Sequence, residues 1–233
     1  LDKNQYELIA TYYDQAAVAV ENLQKMGALD PTPWIAWDGQ FMPDYFAHFE
    51  ENKVPRGRAL IPKDPKTGKG MVSGVELIRQ LRTAVEARAI PVFLRHRAHR
   101  LITNESGQVV GVEALNEKSE AVYFRAHRAV IFGSGGFTHN PEMRLNYLRG
   151  PVFGGCAVLT NQGDLISMAS EVGAKLDNLA HAWWAQAVLE EVLANPSPPT
   201  DIFAVPGDSM IEVNKYGQRV MDEKAVYNER TQV

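Results

Sequence analysis

The stretch VIFGSGGFTHN, residues 130–140, constrains this chain more than any other. A continuous apolar run, RAVIFGS at 128–134, leads straight into Gly133, Gly135 and Gly136. The run predicts a strand buried on both faces, the kind found in parallel sheets covered by helices. A strand that ends in glycines lets the backbone approach a phosphate or a flat ring closely. The segment is nevertheless not a dinucleotide fingerprint of the form G-x-G-x-x-G. Gly133-x-Gly135 is present, but Thr138 stands at the third glycine position. The acidic residue that should follow a second strand is also missing from its place.

The surrounding pattern predicts an α/β (α+β) arrangement. KNQYELIATYYDQAAVAVENLQKMG spaces Leu8, Ile9, Tyr12, Ala16, Val20 and Leu23 as one face of a helix closed by Gly27. Residues 28–70 are proline-rich and irregular. A second helix spans 73–89, with Ser73 placed to cap it. Short strand candidates follow at 90–95, 98–103, 108–115 and 121–127, with the turn NESG at 104–107. NPEMRLNYLRG and GDLISMASEVGA read as helices, the second starting at Gly163-Asp164 with Asn161 or Asp164 as its cap. That helix start is also a place where an electron-rich group could be held. The chain changes character after NPSPPTD at 195–201, and SMIEVN and QRVMDE then flank a turn at 215–217.

Composition removes several function classes. Of 233 residues, 45% are hydrophobic and 22% charged, as in soluble globular chains, and the net charge of −4 does not favour nucleic acid or an anionic membrane. The basic run FLRHRAHR at 93–100 is expected to face solvent on a strand edge. His96 and His99 would point to opposite faces of a strand, which is unsuited to one metal ion. The single Cys156 excludes an internal disulfide framework and fits a reducing, cytoplasmic compartment. No stretch reaches the ~20 apolar residues that span a bilayer. The chain opens on Leu1 and stops on NERTQV without a closing element, so it is expected to be a piece of something longer. Trp183 and Trp184 in HAWWAQ suit either core packing or the wall of a flat apolar substrate site.

Four segments, in order, resemble the flavoprotein superfamily of fumarate reductase and 3-ketosteroid dehydrogenase. They are AHRLITNESGQVVGVEAL (98–115), AVIFGSGGFTHNPEM (129–143), QGDLISMASEVGA (162–174) and VNKYGQRVMDE (213–223). The resemblance implies FAD as cofactor, with the dinucleotide fingerprint upstream of this chain. Residues 1–180 would be part of a glutathione-reductase-like FAD-binding domain with a β meander, and 181–233 the start of an inserted cap domain. It further implies cofactor contacts at Ala98, Ser134, Gly135, Gly136, Phe137, Asn140, Asn161, Gly163 and Asp164. Four residues depart from the family pattern: Gly133 and Ser134 for Ala-Thr, Leu165 for a glycine and Val220 for Phe.

Within the superfamily, fumarate reductases carry a His-Pro-Thr segment after the Gly-Ala helix and an arginine four residues after the glutamate of the last motif. Here those places hold NLAHAWWAQAV and Tyr227. The ketosteroid branch is the better match, and PDYFAHFEENKVPRGRAL at 43–60 also resembles it. That branch implies catalytic roles for Tyr227 and Tyr45. It also implies a steroid-like or cyclic enone substrate that loses a proton beside a carbonyl and passes a hydride to the flavin. The electron partner is not implied. A fumarate- or urocanate-type reductase and a non-catalytic nucleotide-binding or interaction domain remain as alternatives.

Overall fold

The computed structural model describes residues 3–198 and 209–231. The chain forms two compact units, Leu1–Val92 and Phe93–Val233. The first contains α1 (Lys3–Lys25), β1 (Pro31–Pro33), β2 (Leu60–Pro62) and α2 (Gly74–Ala87). α1 ends in a Schellman turn: Gly27 takes a left-handed φ of +66°, Ala28 N–H donates to Leu23 O and Gly27 N–H to Gln24 O. Its expected apolar face is only partly covered. Ala16, Val20 and Leu23 are half-buried, while Leu8, Ile9 and Tyr12 are exposed. α2 starts where expected, with Ser73 Oγ accepting from Glu76 N–H. Gln80 fastens it to the neighbouring loops, accepting from Asp30 N–H at 2.8 Å and donating to Lys63 O at 3.1 Å.

The second unit is built on an antiparallel meander of β3 (Arg97–Thr103), β4 (Val109–Leu115) and β5 (Ala121–Arg125), with β4 in the centre. Alternation and the NESG turn produce it: Asn104 Oδ1 accepts from the N–H groups of Ser106 and Gln108 and closes the first hairpin. The helices α3 (Pro141–Tyr147), α4 (Asp164–Glu171), α5 (Leu189–Ala194) and α6 (Tyr227–Arg230) follow. α4 packs on β3. Leu101, Ala114, Ile166, Met168 and Ala169 are among the buried core residues.

Several expectations are overturned. Residues 90–95 form no strand, because Arg95 takes a left-handed φ of +57° and Val92 and Leu94 are exposed. Residues 128–134 are neither a strand nor buried, and Ile131 is 91% exposed. A doubly buried strand needs neighbours on both edges, and no strand among the described residues pairs with this one. Residues 209–214 and 218–223 share a single bridge, Val213 to Arg219, around the expected turn. The proline-rich boundary at 195–201 runs past the described residues at 199–201. Its described part is tied back, with Pro196 O accepting from Gly155 N–H and Ser197 Oγ donating to Ala157 O.

Only residues 97–100 of the basic run lie in the outer strand β3, and the charges of the run are paired. Arg95 meets Glu117, Arg97 meets Asp164 and Arg100 meets Glu113. His96 lies before β3, and a bulge between Ala98 and Arg100 breaks the alternation at His99.

Candidate functional site

The glycine loop is held from one side by the segment that starts α4. Gly163 N–H donates to Gly136 O at 2.9 Å, and His139 N–H donates to Asn161 O at 3.0 Å. Asn140 caps α3, its Oδ1 accepting from Met143 N–H and its Nδ2 donating to Gln162 O. Gly163 is forced twice over. Its φ is +83°, and an added Cβ would stand 2.5 Å from Met143 Sδ and 3.0 Å from Phe137 Cβ. It is also the N-cap of α4, without a side-chain cap, so neither Asn161 nor Asp164 plays the capping role expected of it. The Asp164 carboxylate instead grips Arg97 through two bonds of 2.7 and 2.9 Å, and these hold that guanidinium's pKa above its ordinary value.

Asn161 has a different environment. Its Oδ1 is buried with no hydrogen-bond partner among the described residues. A Cβ at Gly135, whose φ is +73°, would lie 2.7 Å from that oxygen. Gly133 and Gly136 show the opposite situation, with nothing within 4 Å of an added Cβ. Ser134 lies exposed between them. Ala98 is half-buried in β3, opposite Ala114.

Gly136, Phe137 and Thr138 continue into an open cleft of about 1050 Å³. Its other walls include Val152, Phe153, Trp183, Trp184, Met221 and Tyr227. Arg149, His181 and Arg230 are its basic residues, and among the described residues no Asp or Glu lines it. Tyr227 is the first residue of α6 and is 8% exposed; its ring lies parallel to that of Trp183, 6.4 Å between centroids and 7° between planes. Arg219 does not line the cleft. It clamps Glu223 at 2.6 Å, and this bond, followed by one from Glu212 N–H, brings the Glu223 carboxyl down to about 2.

The structure therefore brings Gly136, Phe137 and Tyr227 to one cleft and laces Asn140, Asn161 and Gly163 around the loop that leads into it. Tyr45 belongs to the first unit, where it is 56% exposed. The stretch 213–230 offers Arg230 beside Arg219, Glu223 and Tyr227, but its burial and its bond to Gln186 are not legible there, nor is the Arg97–Asp164 pair. The one signal for Arg230 was its position three residues after Tyr227, the spacing that puts two side chains on one helical face. Among the described residues no helix is long and apolar enough to cross a membrane.

Comparison with known proteins gives the family of the chain and its cofactor, FAD. Residues 2–233 match the family described as FAD binding domain. The chain is 34% identical over 175 residues to 3-oxosteroid 1-dehydrogenase of Mycolicibacterium smegmatis, covering 70% of this chain and 29% of that protein. It is 25% identical over 218 residues to 4-oxocyclohexanecarboxylate 2-dehydrogenase of Sinomonas cyclohexanicum, covering 92% of this chain and 34% of that one. In fold it is similar to a 3-ketosteroid-Δ4-(5α)-dehydrogenase of Rhodococcus jostii RHA1 solved with 4-androstene-3,17-dione. The TM-score is 0.54 at 23% identity, over 77% of this chain and 34% of the other. The chain spans about a third of the length of these relatives.

Proposed function

The chain belongs to the FAD binding domain family, and we propose that it is part of an oxidoreductase that adds or removes hydrogen across a C–C bond beside a carbonyl, in a ketosteroid or similar cyclic enone. On this reading 1–180 belong to a glutathione-reductase-like FAD domain and 181–233 begin the cap domain. The observation that carries the proposal is that Tyr227 and the end of the glycine loop, Gly136 and Phe137, line one cleft.

The residues present fit a flat cofactor. Gly133 and Gly136 leave bare backbone with open space beside it, and Asn161 carries a buried amide oxygen with no partner among the described residues. Residues 133–136 with Asn161 and Gly163 would hold FAD, which when bound supplies the hydride acceptor or donor. Tyr227 would hold or move a proton at its phenolic oxygen, beside the substrate carbonyl or its neighbouring carbon. Trp183, Phe153 and Val152 would cover the apolar faces of the substrate and exclude water.

The test is turnover of 4-androstene-3,17-dione and of 4-oxocyclohexanecarboxylate by the intact protein, with dichlorophenolindophenol as electron acceptor. Tyr227→Phe should lower kcat by about 10²–10⁴-fold, the usual worth of a proton-transfer group, and leave the flavin absorbance unchanged. Unchanged turnover removes Tyr227 from the mechanism.

One observation favours a second reading, a reductase of the same superfamily for a small unsaturated acid. Arg149 and His181 line the cleft, and among the described residues no carboxylate lines it, which suits an anionic substrate. Viologen-linked reduction of fumarate or urocanate, with no activity on either ketone, would establish that reading instead.

A further inference from the structure

α6 is a single turn of four residues whose first position, Tyr227, has no side-chain cap before it. One turn does not hold itself together in water, because nucleating a helix costs more than its first bonds return. Something outside α6 must therefore fix the tyrosine. Arg230, at the other end of the turn, is 3% exposed. Its Nε donates to Gln186 Oε1 at 2.7 Å, and its Nη1 donates to Glu223 O at 3.4 Å. The Nε2 of Gln186 donates in turn to the Glu212 carboxylate. Glu212 N–H donates to Glu223 Oε1 at 2.7 Å, which brings the chain of bonds back to Glu223. A parallel tie joins Trp184 N–H to Asn228 Oδ1 at 2.8 Å.

This closed ring joins three separate segments: the one carrying Trp183, the turn around 212–223, and α6. Its consequence is seen at the cleft, where the Trp183 and Tyr227 rings lie parallel on two of the joined segments. We propose that Arg230, together with Gln186, is a positioning residue that fixes Tyr227 against Trp183 and so sets where the phenol meets the substrate. The inference rests on the reading that Tyr227 acts in this cleft. It requires arginine in particular. The guanidinium donates in two directions at once, to a side-chain amide and to a backbone carbonyl, whereas a lysine ammonium is a point charge on a flexible stem.

The test uses the intact flavoprotein with 4-androstene-3,17-dione or 4-oxocyclohexanecarboxylate, whichever it turns over. Arg230→Lys and Gln186→Leu should each lower kcat by about 10²-fold, the loss that a displacement of about 1 Å produces, with KM changed by less than about 3-fold. Both should also lose the near-ultraviolet dichroism that Trp183→Phe removes. In a Tyr227→Phe background the effect of Arg230→Lys should shrink to within about 3-fold, because a group acting through the tyrosine has nothing left to position.

Multiplicative losses in that background would overturn the proposal, as would an unchanged kcat in both variants. A raised KM with kcat kept would make Arg230 a substrate contact and also overturn it. Should Arg230→Lys fail to fold, Gln186→Leu decides alone. If Tyr227→Phe itself leaves turnover intact, the underlying reading fails, an outcome distinct from any of these.

Discussion

Gly135→Ala is the perturbation that most directly tests how the glycine loop is built. Two costs are expected. Gly135 has a φ of +73°, and a residue with a Cβ pays about 1–2 kcal/mol there. The new Cβ would also stand 2.7 Å from Asn161 Oδ1, 2.9 Å from Nδ2 and 3.1 Å from Cγ. The Asn161 backbone cannot withdraw easily, since its N–H donates to Val158 O and its carbonyl accepts from His139 N–H. Overpacking of this kind costs about 1–3 kcal/mol, so the whole penalty is about 2–5 kcal/mol.

Asn161→Ala should do the reverse. It deletes a buried acceptor that has no partner among the described residues, a group whose burial costs about 1–3 kcal/mol. The flavin-free variant should therefore be as stable as the wild type or more so. With Asn161→Ala in place, Gly135→Ala should cost only the backbone share of about 1–2 kcal/mol. The four proteins form a cycle with a coupling of about 1–3 kcal/mol, read from urea unfolding followed by far-ultraviolet dichroism. Additivity within about 0.5 kcal/mol would refute the steric account. With flavin present the sign should change, Asn161→Ala weakening its binding by about 10-fold, or about 1.4 kcal/mol.

Three further outcomes are expected. Gly136→Ala should leave the flavin-free protein within about 0.5 kcal/mol of the wild type and raise the flavin Kd, measured by fluorescence titration. Asp164→Asn should cost at most about 1 kcal/mol, because the Arg97 side chain it releases is 65% exposed; a large loss of flavin affinity would show that the carboxylate serves the cofactor rather than Arg97. The carboxyls of Glu76 and Glu223 both lie at about 2, below the ordinary 4.5. Arg79 and then Gln80 hold the first down, and Arg219 and then Glu212 N–H hold the second. The unfolded chain takes up these protons first as pH falls, so the stabilisation is complete above about pH 4.5 and is lost toward pH 2. Urea midpoints between pH 5 and 2.5 should fall accordingly, and Glu223→Gln should flatten the slope.

The elements legible in the sequence are those whose causes are local. Ser73, Gly27 and Asn104 act on backbone groups within five residues of themselves, and the helix boundaries and the first hairpin follow from them. Alternation over 98–125 suffices for the meander. Burial is not local, so the apolar run at 128–134 predicts a buried strand that the structure lacks: whether Ile131 is covered depends on strands that the run itself cannot specify. The same limit hid the bonds around the cleft. Arg97 reaches Asp164 across 67 positions and Arg230 reaches Gln186 across 44. Tyr227 was found by resemblance to a motif, whereas the single turn that carries it has no periodicity to read.

The glycines of the loop then separate by cause. Gly163 and Gly135 are explained by the fold itself, through left-handed φ values and neighbours that a Cβ would strike. Gly133 and Gly136 have neither reason: their φ values are not left-handed and nothing lies within 4 Å of an added Cβ. Glycine at such a position lowers stability slightly, by its greater freedom in the unfolded chain. The protein interior therefore offers no return for keeping it. What the two positions share is a bare backbone with open space beside it, and Gly136 also lines the cleft that Tyr227 lines. On the proposed reading, a flat partner that approaches the backbone closely accounts for glycine at both. For this reason the Gly136→Ala and Gly135→Ala variants should differ in stability while agreeing in their loss of flavin.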